Sequence, residues 1–136
     1  MKRFKRIAVL GITLLCITLT LTACQKKGFE SVRTFEFHFF KEEYEEKYNR
    51  AEKTMELKPE ANYKINITSS VDSGTIAMKL SYLNYDGKAI IVNMTAPGTE
   101  SIEIASGTTS AFTFTAQIDS DTQGVVKVEI FSDKAL

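Results

Sequence analysis

From Arg33 onward the chain alternates apolar and polar positions with a period of two. Phe35, Phe37 and Phe39 are separated by Glu36 and His38; Tyr63, Ile65 and Ile67 by Lys64 and Asn66; Ile76, Met78, Leu80 and Tyr82 by Ala77, Lys79 and Ser81. Phe112, Phe114 and Ala116 bracket Thr113 and Thr115, and Val126, Val128 and Ile130 bracket Lys127 and Glu129. Successive side chains of a strand point to opposite faces, so this period makes one face apolar and the other polar. Antiparallel sheets with a core on one side and water on the other carry that pattern. Ala89 to Met94 is more evenly apolar and predicts a central strand.

Turn-forming clusters separate these segments: Lys58-Pro59-Glu60-Ala61-Asn62, Ser69 to Gly74, Ala96-Pro97-Gly98-Thr99, Ser106 to Ser110 and Asp119 to Gly124. Asp86-Gly87, between Tyr85 and Lys88, predicts a two-residue hairpin turn, in which both central positions take positive φ. Strands every ~8–12 residues predict a sandwich or a barrel. About eight strands over residues 33–136 fit an all-β fold, an antiparallel β-sandwich of immunoglobulin-like or jelly-roll-like kind. Strand order stays open at this stage.

Lys41 to Lys53 supports two readings. A helix would place Tyr44, Tyr48, Ala51 and Met55 on one stripe, with Glu43–Lys47 and Glu46–Arg50 as favourable i,i+4 pairs. A strand–loop–strand would pair Ala51 to Leu57 with the Phe35 strand across an acidic loop. Strand-like segments on both sides favour the second.

The first residues follow another pattern. Lys2, Arg3, Lys5 and Arg6 precede an apolar run, Ile7 to Thr22, which ends at Leu21-Thr22-Ala23-Cys24 and the polar Gln25-Lys26-Lys27. A basic start, an apolar stretch and a small residue before a polar break describe a secretory signal segment, helical while it lasts. Leu21-Thr22-Ala23-Cys24 resembles the lipobox of bacterial lipoproteins. The resemblance covers residues 1–24. It implies diacylglycerol on the Cys24 sulfur, cleavage between Ala23 and Cys24, and acyl chains such as palmitate in the membrane. Two chains on one residue make a durable anchor where one would not. The implied chain is a small surface lipoprotein of the cell envelope: signal peptide 1–23, lipidated tether 24–32, β-sandwich domain 33–136. It would sit outside the cytoplasm on the cell membrane. Gln25, rather than Asp, after the cysteine would allow an outer membrane in an organism that has one. An uncleaved membrane span would leave the same residues outside, because the basic end stays in the cytoplasm.

Removal of residues 1–23 changes the charge from zero to −4, with 13 Lys+Arg against 17 Asp+Glu. No basic cluster remains, which argues against nucleic acid as a partner. By that resemblance Cys16 would leave with the signal and Cys24 would become a thioether, which would exclude a thiol nucleophile, a cysteine zinc site and a redox pair from the domain.

Few residues are left for chemistry. Asp119-Ser120-Asp121-Thr122-Gln123-Gly124 echoes the start of an EF-hand loop, but its twelfth position is Ile130 where that loop needs a bidentate Glu. His38 lies on the polar side of its strand beside Glu36, without a nucleophile in a strained turn. Strand-spaced Phe35, Phe37 and Phe39 read as core rather than as a sugar-stacking platform. The acidic run Glu42, Glu43, Glu45 and Glu46, with Tyr44 and Tyr48, is the one unusual composition and supplies the candidate ligand contacts. The expectation is a non-enzyme without cofactor or metal. Its role is binding or accessory, towards a peptide, protein or glycan. A self-protection protein capturing a cationic peptide and a surface carbohydrate-binding module are the alternatives.

Overall fold

A computed structural model describes residues 28–135. Eight strands follow one another: β1 (Glu30–Phe39), β2 (Arg50–Glu56), β3 (Tyr63–Ser73), β4 (Ile76–Leu83), β5 (Ala89–Thr95), β6 (Gly98–Ile104), β7 (Ala111–Ile118) and β8 (Gln123–Ser132). Two short 3-10 turns, Lys41–Glu43 and Glu46–Tyr48, lie between β1 and β2. One sheet has the order β1-β8-β3-β6 and the other β2-β7-β4-β5, and every pairing is antiparallel.

The pairs β1–β8, β2–β7, β3–β6 and β4–β5 are nested. The chain is thus one long hairpin with its tip at the β4–β5 turn, rolled up so that successive rungs fall in alternate sheets. Pairings β3–β8 and β4–β7 then close each sheet. This is the double-sheet jelly roll, which resolves the two sandwich types that the period-two pattern left open.

The core is the inward register of both sheets. Ile65, Ile76, Leu80, Phe114, Ala116, Val126, Val128 and Ile130 are fully buried. Phe37 of β1 stacks on Phe114 of β7 across the sandwich, with centroids 5.8 Å apart and planes at 15°, and Phe35 meets the same ring edge-on at 6.2 Å. The strand-spaced phenylalanines are therefore core, and they tie one sheet to the other.

Several sequence expectations are corrected. The segment 41–53 is strand–loop–strand, but β2 does not pair with the Phe35 strand; it joins the opposite sheet beside β7, and the loop 40–49 crosses between sheets. Met55 turns inward from an edge strand, while Tyr48 stays 68% exposed, so no common stripe forms. β5 is an edge strand rather than a central one. Ile90, Val92 and Met94 pair with the inward residues of β4, and Ile91 is left on the outer face at 55% exposure.

Ser69 to Ser73 continues β3 instead of turning, because Ser69, Ser70, Val71 and Ser73 find ladder partners on β8, with Asp72 left unpaired at a shift of register; Gly74, at φ 70°, then reverses the chain. The β4–β5 turn has three residues between Asn84 and Lys88, not two. The Asn84 amide donates to the Lys88 carbonyl at 2.9 Å, and Gly87 alone takes positive φ, at 79°. That is the three-residue hairpin with a left-handed glycine. Finally, β1 begins at Glu30, so residues 30–32 of the expected tether are strand.

Candidate functional site

Antiparallel strands alternate in direction, and this sorts every loop to one of two ends. One end holds the start of β1 and the loops β2–β3, β4–β5 and β6–β7, with the segment after β8. Registers Glu30↔Ser132, Tyr63↔Ile104, Glu56↔Ala111 and Leu83↔Ala89 mark it. Hydrogen bonds at this end agree: the Leu57 amide extends the β2–β7 ladder by donating to the Ser110 carbonyl at 2.7 Å, and the Lys58 amide, in the loop after β2, donates to the Tyr63 hydroxyl of β3 in the other sheet at 2.8 Å. The other end holds β1–β2, β3–β4, β5–β6 and β7–β8. The described residues begin with Gly28 at the first end, here called proximal, and the other end is called distal.

The acidic run falls on the distal end. Glu42 and Glu43 lie in the first 3-10 turn, Glu46 in the second, and Glu45 between them; all four are exposed. Tyr44 is half-buried, whereas Tyr48 projects, with the Lys47 ammonium 4.9 Å from its ring centre. Lys47 also pairs with Glu45 at 3.6 Å. Glu42, Glu43 and Glu46 have no ion pair among the described residues.

The adjacent β7–β8 turn extends this pole. The Ile118 amide donates to the Asn49 carbonyl at 2.9 Å, fastening the acidic loop to the strand that leads into the turn. The distal connections 40–49, 74–75, 96–97 and 119–122 carry two lysines against six carboxylates, a net of −4. The proximal connections 57–62, 84–88, 105–110 and 133–135 carry three of each sign and are neutral. The distal pole alone matches the whole net charge of residues 24–136. Nothing in the one-dimensional pattern joins Asp119 and Asp121 to the glutamates. Counting strand parity would have done so, since loops an even number of strands apart share an end.

Asp119 is occupied by structure rather than by a ligand. Its Oδ2 accepts from the Thr75 hydroxyl at 2.9 Å, and its Oδ1 accepts from the Asp121 amide at 3.0 Å. The buried Thr122 hydroxyl lies 2.9 Å from the same Oδ1 and 2.8 Å from the Thr75 carbonyl. These donors, Thr75 foremost, hold the Asp119 carboxyl below its ordinary range. The EF-hand echo is a turn that binds its own backbone. Among the described residues no three His, Cys, Asp or Glu side chains are grouped to hold a metal.

His38 Nε2 lies 2.9 Å from Glu36 Oε2 on the exposed outer face of β1. That face is largely self-paired: Lys127 reaches Glu129 at 3.0 Å and Ser101 donates to Asn66 at 2.8 Å. The outer face of β2-β7-β4-β5 is different. Its middle row runs Thr54, Thr113, Ser81 and Ile91, and beside it a shallow hollow of about 300 Å³ is lined by Ser81, Leu83, Ala89, Ala111 and Thr113. In the neighbouring row the buried Thr115 hydroxyl has no hydrogen-bond partner among the described residues. Another hollow, about 500 Å³ beside Arg33, Met55 and Lys58, is lined by one carboxylate, Glu56. The signal segment, Ala23 and Cys24 lie outside the described residues.

No protein family model matches the chain, and no curated protein matches its sequence. Among solved structures it is similar to the enzymatically active domain of tailspike protein 4 of bacteriophage CBA120, at 11% identity and a TM-score of 0.42 over 60% of this chain. It is similar to TmCBM61, solved in complex with β-1,4-galactotriose, at 17% identity and a TM-score of 0.36 over 74% of this chain. A third is the CBM22-1–GH10 portion of xylanase 10B of Clostridium thermocellum, complexed with xylohexaose, at 14% identity and a TM-score of 0.36 over 82% of this chain. The chain spans 13%, 64% and 27% of those three chains.

Proposed function

We propose that the chain is a lipid-anchored protein of the outer face of a cell membrane, held through Cys24, that acts without catalysis by binding a cationic peptide at its distal pole. One observation carries this reading. The end where β1 begins lies opposite the end that holds the −4 charge and both loop tyrosines. A ligand arriving from outside meets that pole first. Exposed ion pairs contribute only ~0.2–1 kcal/mol each, so four glutamates together amount to about 1–4 kcal/mol. Tyr48, already beneath one ammonium, offers a face for a second. The interaction is screened by salt.

The test is a titration of the anchored chain in nanodiscs with a lysine-rich peptide at low and physiological salt. Glu42, Glu43, Glu45 and Glu46 all changed to Gln should weaken binding roughly tenfold and flatten its salt dependence. Unchanged affinity removes the reading.

A second reading, a glycan ligand, is favoured by the uncharged hydroxyl row ending at exposed Ile91 on the outer face of β2-β7-β4-β5. It predicts retardation of the chain in polysaccharide-containing gels that Ile91→Asp abolishes and the four Glu→Gln changes leave intact.

A further inference from the structure

The proximal end has chemistry of its own. Three of the large apolar side chains left exposed gather there: Tyr85 at 84%, Leu83 at 56% and Phe29 at 47%. Tyr85 stands at the tip of the β4–β5 turn, and that turn is stiffened from within. Asn84 Oδ1 accepts from the Asp86 amide at 3.2 Å and from the Lys88 amide at 3.0 Å. The ring is therefore held out into solvent rather than folded onto the protein. Lys58, Lys88 and Lys134 lie in the connections at the same end.

Where the chain enters decides what this end faces. β1 starts at Glu30, six residues after Cys24. Fully extended at ~3.3–3.6 Å per residue, that tether reaches about 20 Å. The ten residues of β1, at ~3.3 Å each, make the sandwich about 30 Å long, longer than its tether. The end from which β1 emerges therefore stays next to the membrane. Charge acts in the same direction. An anionic leaflet repels the acidic pole and not the neutral one. With the sandwich upright, the acidic pole is more than three Debye lengths away, at ~8 Å each in physiological salt.

We infer that the sandwich stands end-on and seats Tyr85, Leu83 and Phe29 in the headgroup layer, with Lys58, Lys88 and Lys134 among the lipid phosphates. The inference rests on the anchoring proposed above. The occupant of this end is the bilayer that holds the chain, because a six-residue tether leaves no room for another protein beneath it. Tyrosine and phenylalanine suit that layer, being apolar in body, and the tyrosine hydroxyl keeps its contact with water. The seat fixes the orientation that presents the distal pole outward.

The sequence contains no tryptophan, so a single introduced indole reports one place only. The full chain is matured in bacterial membranes, extracted, and reconstituted into phosphatidylcholine–phosphatidylglycerol vesicles with and without lipids brominated near the headgroup. Two variants are compared, Tyr85→Trp and Tyr48→Trp. The expected result is that Tyr85→Trp shifts to the blue and loses most of its emission in brominated vesicles, while Tyr48→Trp keeps its spectrum. Vesicle flotation runs in parallel. Protein that floats while Tyr85→Trp is unquenched overturns the seat and leaves the anchor standing. Equal quenching of both variants shows a sandwich lying flat and also overturns it. Protein that does not float overturns the anchor and the seat together.

Discussion

Replacement of Phe114 by Ala tests the packing that joins the two sheets. The ring is fully buried in the middle of β7, opposite Leu80 on one side and Lys53 on the other, and carries Phe37 at 5.8 Å and Phe35 at 6.2 Å from the facing sheet. A buried phenylalanine removes ~150–250 Å² from water, which at ~25 cal/mol per Å² is about 4–6 kcal/mol before the remaining methyl is allowed for. With that methyl and the cavity left behind both included, losses observed at such sites are ~3–5 kcal/mol. A loss of about 4 kcal/mol is a large part of the ~5–15 kcal/mol that a domain of this size possesses. The assay is urea unfolding of the chain from residue 24 with Cys24→Ser, followed by far-ultraviolet circular dichroism, with the slope checked for constancy. Phe40→Ala, at a ring 48% exposed beyond the end of β1, serves as control and should cost less than ~1 kcal/mol. Combining Phe114→Ala with Phe37→Ala should show a coupling of ~0.5–1.5 kcal/mol. A Phe114→Ala loss below ~1.5 kcal/mol, or zero coupling to Phe37, would refute the seam as the tie between sheets.

Other outcomes follow from single contacts. Gly74→Ala should cost ~3 kcal/mol or more, because φ is 70° and a Cβ would meet the Thr122 backbone at 2.6 Å; Gly87→Ala, at φ 79° in open space, should cost only ~1 kcal/mol in the same denaturation assay. Tyr63→Phe leaves the Lys58 amide without its acceptor and should cost ~1–2 kcal/mol, with faster hydrogen exchange at that amide. Asp119 and Asp133 have carboxyls held low in the fold, chiefly by Thr75 and Asn62 respectively, so the native state binds fewer protons than the unfolded chain. Their contribution is present above the unfolded carboxyl value of ~3.9 and is lost as pH falls below it. Thermal midpoints should drop on acidification through that window, and less steeply in Asp119→Asn.

The fold was legible where burial follows the alternation closely. In β3, β4, β7 and β8 nearly every second side chain is buried, so the period alone marks the strand. β6 escaped it because its inward register holds Gly98 and Glu100 before Ile102 and Ile104. An edge strand can place glycine and a carboxylate inward, since water reaches them there. β5 misled in the opposite sense: Ile91 faces solvent although its neighbours Ile90 and Val92 face the core. Partner choice was not legible at all. Residues 40–49 bridge β1 to β2, as a hairpin loop would, yet the two strands lie in different sheets, a fact decided by the rolled ribbon rather than by any local residue. The acidic loop was visible as composition; its junction with Asp119 and Asp121 and its place opposite the chain's entry emerge only from strand direction.

The proposed anchor at Cys24 is the premise behind both the outward pole and the seated end, and intact mass spectrometry of the full chain purified from bacterial membranes tests it most directly. The account predicts a polypeptide beginning at residue 24 with a diacylglycerol increment, and a Cys24→Ala variant that retains residues 1–23 without the increment. An unmodified wild-type chain with residues 1–23 attached, recovered from the soluble fraction, would contradict it.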